Sequence, residues 1–306
     1  YMKKIFNYFV CLIILVTSIV VFTGCSKSSY IYLNPETYNV GNGSITEMDI
    51  SEINVDWVTG SVEIDVSSDY ETISIEESYK KTLDDDQKLR YKLSNGILYV
   101  KYRNSSATKV DVGLDKSLII KVPASVNGLS KIVASTESSS IKVKGNYKNA
   151  VCSPLSEINL TSTSGVISLG GFNATKLNVK SVSGNVTIKT CQISTLNIET
   201  TSGGVYTQDV IGSNLVIKTV SGASKLKFNV PISDVSVKST SGSVELILPE
   251  SIVGYEVKFN TRSGRYTSEF EEKSDDNKKT YGSGISSSMQ VETVSGNLAI
   301  KKNISE

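Results

Sequence analysis

Histidine is absent from all 306 residues. That absence removes the commonest general base and the commonest metal ligand together, and nothing else in the chain calls for a cofactor or a metal. A dominant charge is lacking too: Lys and Arg number 32 against 31 Asp and Glu, so no net field favours nucleic acid as a partner. Tryptophan occurs once, as Trp57, and cysteine four times. What is present is 39% hydrophobic and 21% charged residues, enough apolar material to bury a sizeable core.

The first 24 residues differ from the rest. Lys3 and Lys4 precede an almost wholly apolar run from Ile5 to Phe22, closed by Val21-Phe22-Thr23-Gly24-Cys25. A basic start, an apolar stretch and small residues before a cut site describe a secretory signal. The segment resembles the lipobox of bacterial lipoproteins, which implies lipid transfer to the Cys25 thiol and cleavage before it. An uncleaved membrane anchor is the alternative, because the run is near the lower length for spanning a bilayer.

Ser-Gly pairs recur through the second half, with glycine at Gly165, Gly184, Gly203, Gly222, Gly242, Gly264 and Gly296, in steps of 19, 19, 19, 20, 22 and 32 residues. Seven before each glycine stand Ile158, Leu177, Leu196, Leu215, Val235, Val257 and Met289; five before stand Leu160, Val179, Ile198, Ile217, Val237, Phe259 and Val291. The alternation resumes after the glycine at Ile167 and Leu169, Val186 and Ile188, Val244 and Leu246, Leu298 and Ile300. Apolar residues at every second position mark a strand with one buried face. Two short strands cannot shield that face alone, so the units must stack. The spacing predicts an all-β fold, a single-chain parallel β-solenoid or β-helix with about 19 residues per coil, preceded by a helical signal peptide. At the corner, glycine is expected to supply the positive φ of a sharp turn.

Three before each glycine stands Ser or Thr: Ser162, Ser181, Thr200, Thr219, Ser239, Thr261 and Thr293. Parity points these inward, where a hydroxyl ladder satisfied from coil to coil is expected. A nucleophile row is the alternative, but it would need a local activating base. On the outward face, Asn159, Asn178 and Asn197 stand six before the glycine, and Lys180, Glu199 and Lys218 four before. Like residues in adjacent coils form ladders, and Lys-Glu-Lys puts opposite charges on neighbouring strands. These six residues are the candidate binding face; the alternative is that the rows only keep the face soluble and the coils in register, and the runner-up surface is the pair of charged excursions at 82–88 and 269–279. With a filled solenoid behind it, the face is expected to be flat and to suit an extended polymer or protein better than a small metabolite.

Read backwards, the template finds Ile53, Val55, Trp57, Val62 and Ile64 around Gly60, and Leu89, Tyr91, Leu93, Leu98 and Val100 around Gly96. Ile132, Ala134, Thr136, Ile141 and Val143 fit if Ser139 takes the glycine place. Four segments result: signal peptide 1–24, lipidated Cys25 with a tether to 29, a degenerate β-rich start of the solenoid over 30–130, and the regular repeats over 131–302. Trp57 falls at an inward position, as core rather than a sugar platform. Two charged excursions interrupt the pattern, Thr82 to Lys88 with Asp84, Asp85 and Asp86, and Glu269 to Lys279. The first reads as a solvated hairpin tip, since the spacing and turn glycine of a calcium loop are missing. Cys152 and Cys191 fall two coils apart, about 9.6 Å on strand spacing, too far for a disulfide.

Repeated apolar-x-apolar-x-Ser/Thr-x-Ser-Gly-x-apolar units behind a lipobox resemble a bacterial adhesin-like family, a domain of unknown function. Leu118-Ile119-Ile120-Lys121-Val122-Pro123 and Val244-Glu245-Leu246-Ile247-Leu248-Pro249 resemble its strand-then-proline punctuation. The resemblance implies a lipid-anchored protein on the extracytoplasmic side of the cell membrane, with no catalytic residues to carry over. The expected function is a non-enzymatic binding or structural module of the envelope, partnered by the membrane through Cys25 and by a cell-wall polymer or an envelope protein. An accessory or sensory component of an envelope-stress system is one alternative. A carbohydrate-active enzyme is another, but it would need paired carboxylates on one groove, where the regular coils show isolated Glu199, Glu245 and Glu292.

The lipobox reading has a direct test. Cys25→Ala should leave an unprocessed, lipid-free precursor; normal processing and detergent-phase partitioning of that variant would rule the reading out.

Overall fold

The computed structural model describes residues 32–105, 114–145, 154–275 and 278–303. The signal segment, Cys25, its tether, Cys11 and Cys152 lie outside the described residues. Among the described residues the chain is all-β with one short 3-10 turn at Pro35–Thr37, and no helix is long and apolar enough to cross a membrane.

Parallel pairing builds a solenoid-like stack. Strand Leu155–Ser162 lies beside Asn173–Ser181 with Ile158 opposite Leu177 and Ser162 opposite Ser181. The next pairings set Leu177 opposite Leu196 and Leu196 opposite Leu215. After the corner a second column runs Ile167, Val186, Val205 and Ser224. Each inward side chain therefore sits on its counterpart in the next coil. Ile158, Leu177, Leu196 and Leu215 are buried, as are Ile167, Val186 and Val205, each burial stabilising by roughly 1.5–3 kcal/mol. Trp57 is buried as well, its Nε1 donating to the Lys116 carbonyl at 3.2 Å.

At both ends the stack order departs from chain order. The Gly60 coil, with strands Glu52–Trp57 and Gly60–Ser67, lies between the later segments Ile97–Lys101 with Lys116–Pro123 and Lys131–Thr136 with Ser140–Lys144. At the other end the last coil in sequence, Ser287–Thr293 with Leu298–Asn303, is inserted between the Gly242 coil and the Gly264 coil. Antiparallel strands then close each end. Arg90–Ser94 and Ile73–Ser78 cover the N-terminal edge, and Lys278–Gly282 covers Gly254–Thr261. Covered edges cannot recruit a foreign strand, and a solenoid needs such caps.

Gly96 is not a corner. Asn95 and Gly96 have φ of 54° and 73° and join Arg90–Ser94 to Ile97–Lys101 as an antiparallel hairpin, the turn that an Asn-Gly pair favours. A hairpin alternates inward and outward residues as a coil does, so the parity template fits both. The Thr82 to Lys88 excursion is a turn in which Lys88 Nζ lies 2.7 Å from Asp85 and Asn104 donates to Asp86 at 2.8 Å. The Glu269 to Lys279 excursion contributes Lys273–Asp275, paired to Lys278–Gly282 of the C-terminal cap. Cys191 is buried and unbridged, and burial pushes its thiol up to about 11.

The corner works differently from the expectation. None of the seven Ser-Gly glycines has a left-handed φ. Glycine is needed there for close approach: a Cβ on Gly184, Gly203 or Gly222 would overlap the carbonyl oxygen of Gly165, Gly184 or Gly203 in the neighbouring coil. The hydroxyl three residues earlier is likewise satisfied mainly inside its own corner rather than along a coil-to-coil ladder. The N–H of Gly165 donates to Ser162 Oγ at 2.8 Å, that of Gly203 to Thr200 Oγ1 at 3.0 Å and that of Gly296 to Thr293 Oγ1 at 2.8 Å. Ser162, Ser181 and Thr200 are buried as parity requires, whereas Thr261, in the outermost coil, is exposed.

Thr207 sits in the inward column between Ile188 and Leu226, fully buried, with its hydroxyl unpartnered. Gly203→Val should therefore cost about 3 kcal/mol or more through backbone overlap. Thr207→Val should stabilise by roughly 1–2 kcal/mol by removing an unsatisfied buried polar group. Melting temperatures moving in opposite directions would bear this out; shifts of the same sign would contradict it.

Candidate binding groove

The six outward residues singled out by spacing stand together in the middle of the stack. Asn159, Asn178 and Asn197 are in register on successive strands, as are Thr161, Lys180, Glu199 and Lys218. The amides form a ladder in which Asn178 Nδ2 donates to Asn159 Oδ1 at 2.7 Å and Asn197 Nδ2 to Asn178 Oδ1 at 3.0 Å. Aligned amides polarise one another, which strengthens the column. In the parallel column Glu199 lies between two ammonium groups, Lys180 at 3.4 Å and Lys218 at 3.5 Å. Both lysines are exposed and Glu199 is half-buried, so each pair contributes about 0–1 kcal/mol and sets register more than stability.

The face is grooved rather than flat. Between the amide and charge columns lies a shallow concavity of about 410 Å³, lined by all six residues together with Val179, Ile198 and Val216. Val179 and Ile198 turn their side chains into the core, so their main chain forms the floor. Long Lys and Glu side chains on one side and short, mutually bonded amides on the other raise the walls.

Two residues belong to this face that spacing alone did not single out. Glu157, eight before its glycine, accepts from Asn178 Nδ2 at 3.0 Å and lies 3.7 Å from Lys176. Val216 follows Asn197 in the amide column, as Val133 precedes Asn159. The same period-two count that located the asparagines would have found both.

The fold and face define a class: an all-β stacked-coil protein that presents a repetitive outward surface. The chain belongs to the Toastrack DUF4097 family, whose pattern matches residues 50–301. Among solved structures it is similar to an adhesin candidate from Bacteroides fragilis, with 12% identity, TM-score 0.46, and 85% of this chain and 97% of that chain covered. It is also similar to a lipid-binding-protein candidate from Parabacteroides distasonis, with 16% identity, TM-score 0.43, and 85% and 96% covered. A third is an adhesin candidate from Parabacteroides merdae, with 14% identity, TM-score 0.39, and 86% and 96% covered. No curated protein matches.

One titratable cluster lies away from the groove, under the N-terminal cap. Lys116 occupies a corner place, since a Cβ on Gly60 would meet its carbonyl, and its side chain is fully buried. Its Nζ lies 2.9 Å from Glu77 Oε2 and 2.6 Å from the Gln87 carbonyl, and it also bonds the Tyr102 carbonyl. The Tyr102 and Trp57 rings lie 4.3 and 5.1 Å away. Burial pulls the ammonium down to about 8, against the opposing pull of Glu77. A lysine so lowered is raw material for a nucleophilic amine, but this one has its three donors committed and is closed to solvent. It ties the cap to the core. Lys116→Met should cost roughly 3–5 kcal/mol by stranding Glu77, and adding Glu77→Gln should recover much of that loss. Equal denaturation midpoints for the single and double variants would contradict the tie.

Proposed function

We propose that this chain is a non-enzymatic binding module of the bacterial cell envelope. In this reading it is a β-solenoid of about 19 residues per coil, held at the extracytoplasmic side of the membrane by lipid on Cys25. Its groove grips an extended polymer or an envelope protein. The observation that carries the reading is the coincidence of the two most regular outward columns with the concavity they enclose. A surface with the same group at each strand spacing, about 4.8 Å, contacts a repeating ligand several times over, and weak contacts then add up.

The same geometry speaks against turnover. Three outward acids of the regular coils are held by lysine: Glu199 as above, Glu245 between Lys225 at 3.0 Å and Lys301 at 2.7 Å, and Glu292 by Lys238 at 3.2 Å. The Lys301 bond holds the Glu245 carboxyl below its ordinary range. A general acid needs a carboxyl raised toward neutral pH and a second carboxylate across the scissile bond.

Asn178→Ala, Asn197→Ala and Lys218→Ala combined should reduce retention on isolated cell wall by about tenfold or more, equivalent to one or two lost hydrogen bonds, with circular dichroism unchanged. Undiminished retention would remove the groove as the binding surface. Glycan cleavage by the unmodified protein would overturn the non-enzymatic reading.

A further inference from the structure

The amide ladder is directional, and its two ends are not equivalent. Each Nδ2 donates toward the preceding coil in sequence, from Asn197 to Asn178 and from Asn178 to Asn159. Asn197 Oδ1 is therefore the terminal acceptor of three polarised amides and has no partner among the described residues. The next rung in its column is Val216, a partly exposed apolar side chain that lines the groove. Lys218 stands across the trough, 3.5 Å from Glu199 on one side, with ammonium donors left for a ligand.

We propose, resting on the groove reading above, that this end of the trough is a subsite for an acetamido group carried on a glycan chain. The acetamido N–H donates to Asn197 Oδ1 and continues the ladder by one rung. Its methyl lies against Val216, where water would otherwise sit on an apolar surface. Its carbonyl oxygen accepts from the Lys218 ammonium. A bare hydroxyl supplies the donor but leaves Val216 uncovered, and a carboxylate would face Glu199 and the Asn197 oxygen with nothing to donate. An extended peptide running along the stack rises about 3.2–3.4 Å per residue, out of step with rungs about 4.8 Å apart. It meets such a subsite once, whereas a chain of sugar rings has a longer unit.

The test is calorimetric titration of the full-length chain with an N-acetylated chito-oligosaccharide, its de-N-acetylated form and a glucan of equal length. The N-acetylated oligomer is expected to bind about tenfold more tightly than either control, the discrimination expected when a site keeps or loses a hydrogen bond and a methyl contact. Val216→Ser and Asn197→Ala should each erase that preference while leaving the melting temperature within a few degrees. Equal binding of the three saccharides, tighter binding of the glucan, or binding of none of them overturns the assignment. If the preference is absent while cell-wall retention still depends on Asn178, Asn197 and Lys218, the acetamido subsite falls and the groove stands. If retention is also indifferent to those residues, both fall. Preferential binding of an extended peptide overturns the glycan assignment as well.

Discussion

The close approach of successive corners is the constraint on which the rest of the molecule depends. Carbonyl oxygens of Gly165, Gly184 and Gly203 lie where the next coil would need a Cβ if its corner residue were anything but glycine. That contact locks each coil directly over its neighbour. Once the corners coincide, Ile158 must face Leu177 and Asn159 must face Asn178, because one-residue slips would exchange the core and solvent faces. Core columns, amide ladder and charge column are thus consequences of one steric fit, reinforced by the Ser or Thr hydroxyl that takes the corner N–H.

A stack of this kind has two exposed ends, and the chain handles both in the same manner. The coil that follows along the sequence is laid outside or inside its predecessor out of order, and antiparallel strands finish the edge. At the N-terminal end the seam is fastened by Lys116 and Glu77, buried among Trp57 and Tyr102. At the C-terminal end it is fastened by aromatic packing of Tyr255 with Phe270 and Tyr281, with Tyr266 donating to Glu272 at 2.6 Å. Both devices span segments distant in sequence, so each closes a loop that the coil repeat itself leaves open.

What the sequence made legible and what it hid follow from the same physics. Alternation is a local property, so the inward places of Ile158, Trp57 and Thr207 could be read residue by residue, and so could the outward columns. Strand partners are not local. Nothing in the pattern around Gly296 says that its coil lies between those of Gly242 and Gly264 rather than beyond Gly264, and alternation around Gly96 is the same for a hairpin as for a coil. The corner glycines were visible, but glycine answers two different demands, left-handed φ and close approach, and only the neighbouring carbonyl distinguishes them. The groove was hidden for a further reason: its depth depends on the difference in reach between Asn178 and Lys180, two residues that parity places on one face without saying how far each stands from it.

The position of the groove also has a cause. Corner spacing is uniform from Gly165 through Gly222 and drifts beyond it to 20, 22 and 32 residues. Uniform spacing keeps outward columns in phase, so three identical amides can bond in series and one carboxylate can sit between two lysines. Val216, in the last uniformly spaced coil, ends the run of amides; where the spacing drifts, the return between strands absorbs the extra residues, and the columns go on in register but with mixed residues, Ser236 and Gln290 on one side and Lys238, Glu292 and Asn260 on the other. A ligand that repeats needs a surface that repeats, and the chain supplies one over the stretch where its coils are most alike. The end coils, which carry the caps and the inserted strands, have given up that regularity to close the stack. Regular columns and closure by exceptions therefore occupy different parts of the same stack.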